Sequence, residues 1–306
     1  MPASAGGHAA ALKDMEAKID ELPLLPQVLV RLLQLRPASV DYFENFESLV
    51  KEDPAFAVRV ISLANSSTSA PVSPIETIRD ALTRMGAVTI GALVASLAVQ
   101  KVFMPTEPGQ VRLWSHSILA AVAAQTIARR FPALRLDPGK AYLAGLLHDV
   151  GRFVMLEHAA PCLRAVDESN WGSPEELLAA DVEVYKFTHS ELGYLACKRW
   201  ALPDELASAV RDHHTPISGR IEPGSLEALG YAIQVADRLC IRALEREEFD
   251  DLEPAARREV LEAECLRPVS SAGVIGPSEL EAILPAVHEE SGALLSSLGF
   301  AQHGLG

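Results

Sequence analysis

The chain has 306 residues, 49% hydrophobic, 22% charged and 6% aromatic, which supplies one large core or two modest ones and excludes disorder as the main state. Forty-one acidic against 27 basic side chains give a formal net charge of -14, which repels a phosphate backbone and argues against general nucleic-acid binding. Four cysteines, Cys162, Cys197, Cys240 and Cys265, lie far apart with no C-x-x-C pair, a pattern of reduced core thiols rather than a disulfide framework or zinc ribbon.

Met1–Gly7 shows no basic region followed by an apolar run, and the most apolar window, Ile90–Val99, is short and carries Gly91 and Ser96. Neither secretion nor membrane insertion has support, so a cytoplasmic location is the expectation. Strand signals are almost absent, whereas apolar residues at i, i+3, i+4 and i+7 recur between short Pro, Gly and Ser breaks, so the fold is expected to be all-α.

In chain order, Asp53-Pro54 offers a cap followed by proline at the first helical position, and Ser73-Pro74-Ile75-Glu76 adds a capping box to the same signal. These two helices should end near Asn65 and Gly86, with another over Ala87–Phe103. Met104–Gln110, with two prolines and a glycine, breaks the pattern and marks a subdomain boundary. Helices then run from Leu113 to about Arg130 and from Pro138 to about Gly151, followed by a less regular stretch through Asn170–Pro174. The capping box Thr188-His-Ser-Glu191 opens a helix that stops before Leu202-Pro203. Further helices are expected at Asp204–His213, at about Leu226–Glu245, from Pro254, and from Ser278 to the end. This divides the chain into an N-terminal helix or tail (1–21), two helical halves (22–104 and 111–245) and a C-terminal extension (254–306).

The chemistry-bearing residues crowd the second half: His116, His148-Asp149, His189, His213-His214 and Asp237. His116 shares a helix face with Ala120, Ala123 and Ile127, and Asp237 lies among Ile233, Cys240, Ile241 and Leu244. A buried carboxylate there needs a cation or donor. Histidine and carboxylate together suit iron, manganese or zinc, and two such ions could share Asp149 as a bridge. Four neutral imidazoles and two carboxylates supply -2 against +4 from two divalent ions, so the loaded site would attract phosphate locally. Each element also has a plainer reading. His213-His214 could answer a helix macrodipole, His189 could be merely exposed, and the set could form a hydrogen-bonded network with no metal.

Leu22-Pro-Leu-Leu-Pro26, Lys51-Glu-Asp-Pro54, Leu63-Ala-Asn-Ser66 and Ile78-Arg-Asp-Ala-Leu-Thr-Arg-Met-Gly86 are followed by Leu113-Trp-Ser-His-Ser117 and Ala144-Gly-Leu-Leu-His-Asp-Val-Gly-Arg152. Thr188-His-Ser-Glu-Leu-Gly193, Trp200-Ala-Leu-Pro203 and Arg211-Asp-His-His-Thr-Pro216 complete the series. In these motifs, over about Leu22–Leu244, the chain resembles the HD superfamily of metal-dependent phosphohydrolases and, more closely, its bacterial signalling branch, the HDOD (HD-related output) domain. The resemblance implies two packed helical halves and metal ligands at His116, His148, Asp149 and Asp237, with His189 and His213 serving a second ion; His214, next in the chain, is a further candidate ligand. Compared with cyclic-di-GMP phosphodiesterases of the HD-GYP type, Thr215-Pro-Ile-Ser-Gly219 replaces the Gly-Tyr-Pro signature, Arg152 replaces a lysine, and Arg112 stands where some carry a metal-binding glutamate. Cyclic-di-GMP hydrolysis and a third metal are therefore not expected.

Two functions follow. One is a non-catalytic signal-transduction output module that binds one or two divalent ions and acts through a signalling partner, a nucleotide-like ligand or self-association. The other is a metal-dependent phosphohydrolase of nucleotides or phosphodiesters, with Asp149 bridging the ions and Arg152 or His214 meeting the phosphate.

Overall fold

A side-chain cap followed by proline starts three helices in the computed structural model: Asp53, Asp137 and Ser173 each accept a backbone N–H of the first turn and precede Pro54, Pro138 and Pro174. These caps satisfy donors that the first turn leaves orphaned. The structure describes residues 15, 17–19, 21, 25–35, 39–66, 74–105, 108–167, 172–244, 247–270 and 273–300. The motif at 22–24 and the proposed cap Ser73 lie outside them.

The helices in order are α1 (Gln27–Gln34), α2 (Tyr42–Lys51), α3 (Pro54–Ala64), α4 (Ile78–Gln100), α5 (Pro108–Arg130), α6 (Pro138–Leu147), α7 (Val150–Asp167) and α8 (Pro174–Tyr185). They continue with α9 (His189–Arg199), α10 (Asp204–Asp212), α11 (Leu226–Leu239), α12 (Glu247–Asp250), α13 (Pro254–Val260), α14 (Pro277–Glu281) and α15 (Leu284–Ser297). The fold is all-α, and no strand occurs among the described residues.

α1, α2 and α3 pack on α4, and α4 in turn rests on α6. The second layer is built on α5, which packs against α6 and α11, while α9 lies between α7 and α10. Ala120, Ala121, Ala123 and Ala124 are fully buried on α5, so short side chains let its neighbours approach closely. Where α4 meets α6, the Ser96 and Tyr142 hydroxyls are 2.6 Å apart, pairing two buried polar groups across the junction. α15 packs on both α5 and α3, and Phe300 stacks on Trp114 with ring centroids 5.9 Å apart. Cys197, Cys240 and Cys265 are fully buried, as small core residues.

α4 is long and apolar enough to cross a membrane by length and composition, and 56% of its most apolar window is buried within the protein. Its axis breaks where expected: Gly86 has φ 79° and ψ 154°, a left-handed conformation that side-chain-bearing residues rarely adopt.

Several boundaries differ from the sequence expectation, and the one helix expected from Ser278 onward is two, α14 and α15, parted by a turn at Ala282–Ile283. α4 begins at Ile78 under the cap Thr77 rather than at Pro74, because Asn65 holds Ile75 by both its N–H (2.8 Å) and its carbonyl (2.7 Å) and keeps residues 74–76 non-helical. α5 begins at Pro108, five residues before Leu113, with proline acting as a starter rather than a breaker. The helix expected through Gly151 stops at Leu147; His148 and Asp149 form a turn, and α7 then runs to Asp167. The stretch read as irregular is followed by a full helix, α8.

Candidate metal centre

Five chain segments converge on one buried point. α5 brings His116, the turn between α6 and α7 brings His148 and Asp149, and α9 begins at His189. The turn after α10 brings His213 and His214, and the last turn of α11 brings Asp237. Local interactions set each position. The Thr188–Glu191 capping box fixes the start of α9. Gln234 on α11 donates to the Thr215 carbonyl (2.9 Å), so the helix that carries Asp237 also holds the histidine turn. α7 and α9 touch at glycines: a Cβ on Gly151 would lie 1.9 Å from the His189 carbonyl oxygen and 2.8 Å from the Gly193 nitrogen.

The side chains form two groups joined by Asp149. Its Oδ2 lies 3.9 Å from His116 Nε2 and 3.8 Å from His148 Nε2. These two nitrogens are 3.3 Å apart, and Asp237 Oδ1 lies 3.2 Å from the first and 3.7 Å from the second. The other oxygen, Asp149 Oδ1, lies 3.2 Å from His189 Nε2 and 3.8 Å from His213 Nε2. His189 Nε2 is in turn 3.3 Å from His213 Nε2 and 3.0 Å from His214 Nε2. All six expected ligands, and His214, thus meet. His189 is fully buried rather than exposed, and His214 belongs to the cluster rather than to a solvated helix end.

The outer contacts orient the rings. His148 Nδ1 donates to the Gly145 carbonyl (2.7 Å), and His213 Nδ1 to the Val210 carbonyl (2.5 Å). A carbonyl oxygen only accepts, so the ring proton sits on Nδ1 and Nε2 turns a lone pair inward. His189 Nδ1 is likewise engaged, by Asp181, so the inward lone pairs of His189 and His213, 3.3 Å apart, repel one another unless a cation lies between them. Ligands about 2.1 Å from one divalent ion are themselves about 3.0–3.4 Å apart, so the spacing fits a cation bound by nitrogen and oxygen. The buried His/Asp group could therefore hold a metal.

The electrostatics agree. Burial opposes ionisation of Asp149, but the charges of His148, His189, Arg152 and His116 outweigh it and hold the carboxyl well below the usual range. Burial likewise opposes ionisation of Asp237, and hydrogen bonds and charge from His116 and His148 overcome it. Burial, with the neighbouring imidazoles, pushes His213 down to about 3 and His214 well below its usual value, so both offer neutral lone pairs. Two ionised carboxylates beside His213 and His214, whose lone pairs stay free of protons, are a cation-binding combination.

Arg152, on the first turn of α7, is buried and hydrogen-bonded to Asp167, while Asp149 lies close enough to raise its pKa. Arg152 also lines a cleft of about 510 Å³ that opens onto His116, Asp149, His214 and Asp237. Its other walls are Arg112 and Arg164 and the apolar side chains Leu113, Leu156, Leu163, Leu177 and Ile241.

Sequence reasoning missed Asp181 on α8. Its Oδ2 accepts from the backbone N–H of His189 (2.9 Å) and from His189 Nδ1 (2.5 Å). The signal was present: Ser173-Pro174 is the same cap and proline pair as Asp53-Pro54, and Asp181 shares a helix face with buried Leu177 and Tyr185.

The HDOD domain family model matches residues 22–216. Among solved structures, an HDOD domain protein from Geobacter sulfurreducens superposes with a TM-score of 0.72 at 24% identity, covering 96% of this chain and 99% of that one. A protein from Shewanella amazonensis SB2B, provisionally named a phosphohydrolase, superposes with a TM-score of 0.67 at 22% identity, covering 93% and 97%. At these identities the likeness shows the fold. A protein of uncharacterised function from Treponema pallidum (strain Nichols) is 25% identical over 210 residues, 67% of this chain and 39% of that one. The chain spans well under half the length of the curated relatives it matches. With the family model covering most of the chain and the architecture shared from end to end, the protein belongs to the HDOD domain family.

Proposed function

We propose that this chain is a signalling-type HDOD module that retains a two-cation centre and hydrolyses a phosphoester in the adjoining cleft. One observation carries the reading: the two oxygens of Asp149 face different sets of nitrogen and oxygen ligands, and both sets border the same open cleft. Divalent cations bound there would act as Lewis acids on a phosphoryl oxygen and make a water more acidic.

The chain's own residues supply the rest. Asp149 and Asp237 hold the cations' charge in a buried site, and the Nδ1 anchors fix the imidazoles. Arg112, Arg152 and Arg164 on the cleft wall balance Asp149, Asp167 and Asp237, so the sign of the cleft is set by the cations and favours a phosphate. Arg152 stands beside the centre, where it can meet a phosphoryl oxygen, and the leucines of the wall exclude water from one side.

Chelator-treated protein reloaded with manganese or zinc should hydrolyse a generic aryl phosphodiester or a nucleotide, and His148→Ala should abolish turnover with the circular dichroism spectrum unchanged. Protein that binds two cations yet turns over no phosphoester would leave the second reading, an output module in which the metals brace the helices. The bond from Arg152 to Asp167, which already occupies the guanidinium, is the observation that favours that reading.

A further inference from the structure

Asp181 has no exposed surface, and it sits on a helix that supplies none of the candidate ligands. A buried carboxylate is costly unless a cation or a full set of donors answers it. Its donors are few and come from one residue: Oδ2 accepts both hydrogen bonds from His189, and Oδ1 accepts none among the described residues. Arg152 is the nearby cation, and it is bonded to Asp167. All of the hydrogen bonding of Asp181 is thus directed at one residue, to the backbone N–H and the imidazole of His189.

The other anchored rings are treated differently. His148 and His213 lean on the neutral carbonyls of Gly145 and Val210, whereas His189 has a carboxylate behind it. A carboxylate behind a ligating imidazole fixes its tautomer and makes Nε2 a stronger donor. That Nε2 faces Asp149 Oδ1, His213 and His214. The helix that carries Asp181 is itself pinned to the Asp237 element: Arg238 is bonded to Glu175, and Arg242 to the Gly172 carbonyl. The carboxylate is therefore held in place from outside the site.

Resting on the metal reading above, we propose that Asp181 is a positioning residue that selectively sets cation affinity at the His189, His213 and His214 position and leaves the His116, His148 and Asp237 position unaffected. Asp181→Asn keeps the shape and an oxygen for His189 but removes the charge, so it separates this role from simple packing.

The test is calorimetric titration of manganese alone into the chelator-treated full chain. Asp181→Asn should weaken one of two equivalents by about 10–100-fold and leave the other as in wild type. The weakening should persist in full in a His116→Ala background and vanish in a His189→Ala background, which removes the ring through which Asp181 acts. Melting of the metal-free protein should be unchanged or raised by Asp181→Asn, while the rise on adding manganese shrinks. A merely structural Asp181 would instead lower the metal-free melting temperature and leave that rise intact. Two equivalents bound by Asp181→Asn with wild-type affinity would overturn the proposal alone. Wild type that binds no cation would overturn the metal reading and the proposal with it.

Discussion

Asp149→Asn is expected to release both cations at once. The substitution is isosteric and buried, so the metal-free fold should persist: Arg152 keeps its bond to Asp167, and His148 and His213 keep their carbonyl anchors. What disappears is the negative charge that faces His116 and His148 with one oxygen and His189 and His213 with the other. Loss of a direct ligand should exceed the roughly 10–100-fold typical of an outer contact, and here it falls on both positions. Elemental analysis of wild type and variant purified side by side, without an affinity tag, reads this directly. A variant that retains one full equivalent would show that Asp149 serves one position only.

The second large effect is at a residue with no chemistry. In Gly151→Ala the new methyl group would lie 1.9 Å from the His189 carbonyl oxygen, a backbone atom that no rotamer change can move. Carbon contacts need about 3.5 Å, so α9 must retreat by on the order of 1.5 Å. Such overpacking costs about 1–3 kcal/mol in stability. It also draws His189 away from Asp149 Oδ1, now 3.2 Å distant, while His116 and Asp237 are carried by α5 and α11, outside the α7–α9 pair that meets at this glycine. Denaturant unfolding together with metal content checks both halves: a destabilised chain that still holds one equivalent is expected. Unchanged unfolding with two equivalents retained would mean that α9 yields at no cost.

The helices and the candidate site residues were legible for the same reason, that local chemistry marks them. Asp53-Pro54 and the Thr188–Glu191 box announce starts that the structure keeps, and Gly86 announces a break that it also keeps. The histidines and aspartates stood out because ionisable residues on apolar helix faces are costly without partners. What stayed hidden depends on contacts between distant segments. The two bonds from Asn65 to Ile75 delay the start of α4, and no reading of 73–78 alone reveals them. Asp181 was missed through the loss of α8: once Asn170–Pro174, of which 170 and 171 lie outside the described residues, was taken as irregular, the carboxylate eight residues before His189 had no helix to sit on. The division of the ligands into two groups by the two oxygens of Asp149 is likewise a three-dimensional fact, since His116 and Asp237 are far apart in sequence yet 3.2 Å apart in space.

On the proposed function, one carboxylate, Asp149, joins two cation positions. This bridging is tested most directly by electron paramagnetic resonance of the chelator-treated chain as manganese is added in steps. Two ions bridged by Asp149 should give a weakened, exchange-broadened signal as the second equivalent binds, and Asp149→Asn should never show it. A sharp six-line signal growing in proportion to bound manganese, or no binding at all, would contradict the account.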